Sequence, residues 1–375
     1  MITALKVRLK PNNKQMSKLF QSAGAARWAY NWTLAKQTEN YTSGGKFINN
    51  GDLRKELTLL KQTEEYKWLN NYSNNITKQA VKDACDAYSK FFKGLADKPK
   101  FKNRKKSPPK FYQDTEKIKF KGGKVRLEKI GWVRLSEKDR IPENETYTNP
   151  RVKFDGIHWH ISVGIEVVQE SVELTAESIG IDVGIKDLAI CSNFEKPFKN
   201  INKTREIRNL EKKLRRLQRK VSTKYEKNKE GRSYVKTNNI IKLEKNIRKL
   251  HKRLDNISTD YRHKVTTEIV KTKPSRIVIE NLNISGMMKN KHLSRSIQQQ
   301  GFYKFSKLIQ YKSEKQGTEF IVADKWYPSS KICSVCGHVK TKLSLSEREF
   351  KCECCGCVID RDKNASINLS RYKVS

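Results

Sequence analysis

"ESIGIDVGIKDLAICSN" (residues 177–193) is the stretch on which the reading of this chain turns. Ile179, Ile181, Val183 and Ile185 alternate onto one side of an extended strand, and Gly180, Asp182 and Gly184 onto the other. The residues that follow read as the return strand of a hairpin. Asp182 therefore stands in the middle of a hydrophobic strand, and its flanking glycines leave room for a large ligand to approach the carboxylate. Burying a carboxylate there is costly unless it is paired or binds a metal.

Two further acids have similar settings. "KPSRIVIENLNI" (273–284) reads as a short buried strand ending in Glu280. "DRDKNASINLSRYK" (360–373) reads as a helix that starts at its first acids, so either Asp360 or Asp362 can be an N-cap. Two residues apart on an incipient helix, they point in different directions, and only one is expected to share a site with the others. Taken singly, each acid is equally well a salt-bridged core residue. In combination, an acid on a hairpin strand, one at a later strand end and one at a terminal helix start match the way ribonuclease H-like nucleases hold two divalent ions ~3.5–4 Å apart. Oxygen ligands alone suit Mg²⁺ or Mn²⁺ better than zinc.

Ahead of the last acids lies "KCECCGCVIDRDKNAS" (351–366). Of eight cysteines, six fall between Cys333 and Cys357, while Cys85 and Cys191 are isolated and read as small buried apolar residues. That clustering indicates metal binding in a reducing compartment and not a disulfide frame. Cys333-x-x-Cys336-Gly337 is one knuckle of a structural zinc site. The second is Cys352-x-x-Cys355-Gly356 or Cys354-x-x-Cys357. The first alternative repeats the glycine after the second cysteine, which favours Cys333, Cys336, Cys352 and Cys355 as ligands, with His338, Cys354 and Cys357 left over.

The chain has 375 residues, with 79 Lys and Arg against 40 Asp and Glu, a net charge of +39. The basic residues accompany every expected helix and strand, so the positive field belongs to a folded surface whose natural partner is a phosphate backbone. No stretch approaches the ~20 apolar residues of a membrane span, and "MITALKVRLKPNNK" (1–14) lacks a signal-peptide core.

Around this framework, "ITALKVRLKP" (2–11) reads as a strand, 14–36 as a helix interrupted near Gly24, and 75–94 as a second helix with Ile76, Ala80, Ala84, Tyr88 and Phe91 on one face. A basic, proline-punctuated loop spans 97–112, and strands fill 116–168, giving a small β-barrel or sheet with the helices inserted into it. His158 and His160 lie on one strand face without a third ligand in view. Residues 203–257 read as an antiparallel helical hairpin broken at "STKYEKNKEGRSY" (222–234), with Arg215 and Arg216 on a phosphate-contacting face.

The motif order "GIDVGIKDLA" (180–189), "VIENLNISGMMKN" (278–290), "YPSSKICSVCGH" (327–338) and "FKCECCGCVIDRDKNAS" (350–366) resembles the TnpB family, transposon-encoded RNA-guided DNA endonucleases related to type V CRISPR effectors. "LKPNNKQ" (9–15), "ARWAYNWTLA" (26–35), "FFKGLADKPKFK" (91–102) and "HWHISVGIEV" (158–167) extend the likeness over nearly the whole chain. The resemblance implies a multidomain α/β protein. Residues 1–13 and 113–175 would form a wedge-like β-barrel, with a helical recognition domain at 14–112 inserted in it. Residues 176–328 and 358–375 would form a RuvC-like, ribonuclease H-like nuclease carrying a zinc-binding insert at 329–357.

It also implies an acidic triad of Asp182, Glu280 and Asp362, deciding against Asp360, with two Mg²⁺ or Mn²⁺ ions, one structural Zn²⁺ and a guide RNA. Double-stranded target DNA would be recognised beside a short duplex motif, with Lys78 and Gln79 as candidate readers and Tyr327, Ser329 and Ser330 near a nucleic-acid strand. A bacterial cytoplasmic setting follows. The family's alternative role, an RNA-guided repressor or transposition regulator without cleavage, belongs to members that have lost acids; all three are present here.

Overall fold

The opening strand β1 (Ile2–Lys10) gives way at Pro11 to α1 (Asn13–Thr42), where Asn12 and Gln15 cap each other reciprocally. The structure is a computed structural model that describes residues 2–168, 172–344 and 347–373. Residues 1, 169–171, 345–346 and 374–375, which the expected domain ranges include, lie outside the described residues.

The break expected near Gly24 is absent, and α1 runs through it. Glycine weakens a helix by ~1 kcal/mol, but Ala23, Ala25, Ala26 and Ala29 around it are buried, and that packing outweighs the local preference. Helices α2 (Asn50–Leu60) and α3 (Asn74–Phe92) follow; α2 was not anticipated. Cys85 is buried between them with Leu53, Leu57, Leu69 and Val81, the apolar role expected of it.

Strands β2 (Lys110–Tyr112), β3 (Lys119–Lys121), β4 (Lys124–Leu127), β5 (Gly131–Leu135), β6 (Thr148–Phe154) and β7 (Trp159–Glu166) join β1 in a seven-stranded antiparallel sheet of order β2-β6-β7-β1-β5-β4-β3. Alternation along β7 buries Trp159, Ile161, Val163 and Ile165 in one core with Leu19 and Tyr30 of α1 and Ile76 and Tyr88 of α3. His160 lies 3.7 Å from Asp155, and no metal-ligand grouping among the described residues includes a histidine.

Residues up to 168 form one unit, and those from 172 onward a second. The second begins with β8 (Thr175–Val183), β9 (Asp187–Cys191) and β10 (Phe198–Lys199), then α4 (Arg205–Lys227), a ribbon of β11 (Lys229–Glu230) and β12 (Ser233–Tyr234), and α5 (Asn238–Lys271). The expected helical hairpin is present with longer arms. Helix α4 continues six residues into the presumed break, and α5 runs past residue 257 because Val265, Ile269 and Val270 carry its apolar seam onto the sheet core.

Strand β13 (Pro274–Ile279), helices α6 (Ile284–Met288), α7 (Ser294–Gln300) and α8 (Phe302–Gln316), and strand β14 (Glu319–Val322) complete a five-stranded sheet of order β10-β9-β8-β13-β14. β8 and β9 pair antiparallel, whereas β13 is parallel to both β8 and β14. One sheet face buries Ile179, Ile181 and Ile277 against α5 and α8; Leu369 of the last helix packs on Val278 of the other.

A small ribbon of β15 (Glu349–Lys351) and β16 (Val358–Asp360) leads into α9 (Arg361–Ser370). Three expected boundaries differ. β2 belongs to the first sheet and not to the helical segment, Thr175 opens the second sheet, and the cysteine ribbon extends through Asp360 by pairing with Glu349. Among the described residues, no helix is long and apolar enough to cross a membrane.

Candidate active site

Asp182 sits on β8 opposite Ile190 of β9, facing away from the Ile179–Ile181 core. Glu280 is the first residue beyond β13, and its N–H donates to the Ile181 carbonyl at 3.4 Å. Asp362 occupies the first turn of α9, behind Asp360, whose carboxylate accepts from the N–H groups of Asp362 (3.0 Å) and Lys363 (2.9 Å). Asp360 is thus the helix cap, and the Asp362 carboxylate is not used in capping. Asp182, Glu280 and Asp362 line one cleft of about 760 Å³, together with Lys186, Lys203, Arg348, Arg361, Ser329 and Ser330.

Of the two glycines beside Asp182, Gly184 lines the cleft, but Gly180 does not make room for a ligand. A Cβ on Gly180 would lie 1.9 Å from the Ser366 carbonyl oxygen and 2.3 Å from the Ser370 nitrogen. The missing side chain lets α9 lie directly on β8, and that close approach carries Asp362 toward Asp182.

Burial, then the charges of Glu280 and Asp362, hold the Asp182 carboxyl well above the usual carboxylate range. Burial also raises Glu280; Asp362 adds to the effect, while a hydrogen bond with Asp182 and the nearby Arg361 oppose it. Arg361 Nε lies 3.4 Å from Asp362, the cleft's internal counter-charge. Three carboxylates gathered on strand and helix ends, two of them resisting ionisation, form an acidic cluster within a cleft that also carries four basic side chains. Their oxygens suit hard divalent cations, which would relieve the repulsion.

Contacts that spacing did not reveal hold α9 in place. Asn364 accepts from Ser334 N–H (2.9 Å) and donates to the Ile332 carbonyl (2.7 Å); Asn368 donates to Ser329 (2.7 Å) and Ile332 (2.6 Å) carbonyls. Arg371 also donates to the Ser334 carbonyl. The signal was present as two asparagines four residues apart, hence on one helix face. Tyr327 donates to the Asn368 carbonyl (3.1 Å), and its ring meets Tyr372 edge-on at 4.9 Å, a packing role. Ser329 is buried beside the same helix. Lys78 and Gln79 are half-buried on α3, with Gln79 bonded to Asp83 at 2.9 Å, whereas Arg215 and Arg216 are exposed on α4.

The sulfurs of Cys333, Cys336, Cys352 and Cys355 all lie within 4.8 Å of one another, with Cys333–Cys355 at 3.6 Å and Cys336–Cys352 at 3.5 Å. The two knuckles repeat one backbone design. Cys333 N–H donates to the His338 carbonyl (2.8 Å), and Cys352 N–H to the Cys357 carbonyl (2.9 Å). Gly337 and Gly356 follow with φ of 77° and 70°. Cys357 is therefore the counterpart of His338, used through its backbone, and exposed Cys354 gives its N–H to Cys352 Sγ at 3.4 Å. Burial opposes the Cys333 thiolate, but the N–H groups of Cys336 and Val335 outweigh it and bring that thiol to about 6. Four soft thiols in this geometry fit a structural zinc ion.

Comparison with known proteins gives concordant results. A family model described as "Probable transposase", of the IS605 OrfB type, matches residues 160–291, and one described as "Cas12f1-like, TNB domain" matches 302–369. A third, "Helix-turn-helix domain", matches 1–46, where the described residues form β1 and α1. "Putative RNA-guided DNA endonuclease InsQ" of Escherichia coli K12 is 31% identical, with 98% of this chain and 91% of that protein aligned. The chain belongs to the TnpB family. A Streptomyces pristinaespiralis protein named "Putative RNA-guided DNA endonuclease" is 30% identical, with 98% of this chain and 88% of the relative aligned. The fold of this TnpB-family chain is that of a Cas12f1 in a solved "Cas12f1-sgRNA-target DNA complex", with TM-score 0.62, 14% identity and 99% and 98% of the two chains covered.

Proposed function

We propose that this chain is the RNA-guided DNA endonuclease of an insertion sequence. It binds a guide RNA, reads a short duplex motif, and hydrolyses DNA paired to the guide. The observation that carries the reading is the convergence of Asp182, Glu280 and Asp362 from three separate elements into one cleft. Support for the partners comes from the full-length relatives named as RNA-guided endonucleases and from the +39 charge.

In this reading the second unit is a RuvC-like nuclease and the first comprises a wedge-like barrel and a helical recognition region. Two Mg²⁺ or Mn²⁺ ions would be held by Asp182, Glu280 and Asp362, and one zinc ion by Cys333, Cys336, Cys352 and Cys355. Bound divalent ions supply Lewis acidity for phosphodiester hydrolysis. The chain's residues do the rest. Asp182, on β8, and Glu280, just beyond β13, would hold the ions from the sheet side, and burial with the neighbouring carboxylate charges raises both carboxyls. Asp362 completes the set from the helix start. Lys186, Lys203 and Arg348 at the cleft draw the phosphate backbone in, and exposed Arg215 and Arg216 add a phosphate-contacting surface. Lys78 and Gln79 are the candidate readers of the duplex motif.

Sequencing the RNA that copurifies with the chain, then reprogramming its guide end, tests this function. A single structured RNA whose altered guide redirects cleavage is the expected result; random cellular RNA and no directed cleavage would overturn it.

A further inference from the structure

Lys363 directly follows Asp362 but does not line the cleft. Its ammonium donates to three carbonyl oxygens, those of Cys191 (3.0 Å), Ser192 (2.8 Å) and Phe194 (2.8 Å). An ammonium group has three N–H bonds, and here each has an acceptor. Those acceptors lie at and just beyond the end of β9, the strand that pairs with β8 around Asp182. Ser192 closes the circuit. Its N–H donates to the Gly180 carbonyl (3.0 Å), and its hydroxyl accepts from the Gly180 N–H (3.1 Å). A continuous chain of hydrogen bonds thus joins the neighbour of Asp362 to the glycine two residues before Asp182.

The other anchors of α9 bind it to other parts of the fold. Arg361, in the same first turn, gives its N–H to the Arg348 carbonyl (2.8 Å) and its guanidinium to the Ser344 and Glu347 carbonyls (3.3 Å each), all in the segment leading into β15. Asn364 and Asn368 tie its middle to the loop at 329–334. Ser178 (2.6 Å) and Arg276 (3.0 Å) bind the Ser370 carbonyl at its far end. Without the Lys363 ammonium, the helix body would stay docked while its first turn lost its tie to the sheet.

We propose that Lys363 is a positioning residue that sets Asp362 against Asp182, and thereby sets the affinity of the acidic site for divalent ions. This rests on the reading of the three acids as the ion-holding set. It gives a cleft-remote lysine a defined part in cleavage without contact to substrate.

The test uses the full chain with its guide RNA on matched target DNA, titrated with Mg²⁺. Lys363→Met keeps an unbranched side chain one atom shorter and removes its donors. It is expected to raise the Mg²⁺ needed for half-maximal cleavage about tenfold or more, as loss of ligand-orienting contacts does elsewhere. Saturating Mg²⁺ should restore most of the rate, with target binding and zinc content unchanged. Lys363→Arg, which retains N–H donors, should recover part of the loss. Wild-type Mg²⁺ dependence in Lys363→Met would overturn the proposal. So would parallel loss of target binding, zinc or folding, which would mark a general structural role. Asp362→Asn separates the two levels: if that variant cleaves normally, the reading of the acids fails, whatever Lys363 does.

Discussion

The chain's two candidate metal sites lie on either side of one short helix start and are built on opposite principles. In the cysteine ribbon, four sulfurs already lie within 4.8 Å of one another, and two matching turns aim N–H groups at Cys333 and Cys352, whose thiols are lowered while those of their neighbours Cys336 and Cys355 are raised. The ligand set is closed. In the acidic cleft, three carboxylates meet in a space of about 760 Å³, and burial with the neighbouring carboxylate charges raises the Asp182 and Glu280 carboxyls above their ordinary range. That set is open and electrostatically strained, as a site that must admit ions and a phosphate should be. In the proposed reading, the closed site holds a shape and the open one performs the chemistry. Asn364 and Asn368 connect them by bonding α9 to the loop leading into the first knuckle.

Breaking the closed site should have the largest effect. Cys352→Ser is expected to lose zinc, whose binding is worth ~10 kcal/mol or more in small zinc modules, and to lose cleavage with it. Metal analysis and a cleavage assay on the same preparation check this; full zinc occupancy would contradict the ligand assignment. Next comes the seat of α9. Gly180→Ala places a methyl group against backbone atoms of Ser366 and Ser370 and should destabilise the second unit by about 3 kcal/mol, at the upper end for core overpacking. A thermal melt showing an unaltered transition would refute the close-packing role.

A smaller effect sharpens the contrast from the acidic side. Because the folded state holds the Asp182 proton more tightly than the unfolded chain, stability falls as pH rises through the range where only the folded state keeps it. Asn cannot titrate. Asp182→Asn should therefore melt higher than the native chain without divalent ions, by about 2–4 °C for each kcal/mol gained. The gap should widen as pH rises above the ordinary carboxylate range and narrow when Mg²⁺ is added. A gap independent of pH and Mg²⁺ would contradict the electrostatic description. The smallest effect belongs to Cys354→Ser, which should keep zinc and activity because that thiol lies outside the four-sulfur set.

Legibility followed the range of the interactions. The C-x-x-C-Gly turns are local, so the ligand set Cys333, Cys336, Cys352 and Cys355 stood out in the sequence, and the backbone repeat then accounted for Cys357. The acids stood out because carboxylates conflict with the apolar strands around them. The seating of α9 was not legible: Gly180 meets Ser366, and Lys363 meets Cys191, across more than 170 positions of chain. For the same reason Gly180 read as space for a ligand when it is space for a helix. Helix α5 ran longer than expected because its seam changes partner, from α4 to the sheet core, without changing its period.

One experiment bears most directly on the nuclease reading. Asp182→Ala, purified with its guide RNA, is compared with the native chain for target binding and target cleavage in Mg²⁺. The expected result is binding close to native with cleavage abolished, since two of three carboxylates cannot hold the ion pair. Cleavage at the native rate would contradict the assignment of the acidic cleft as the active site.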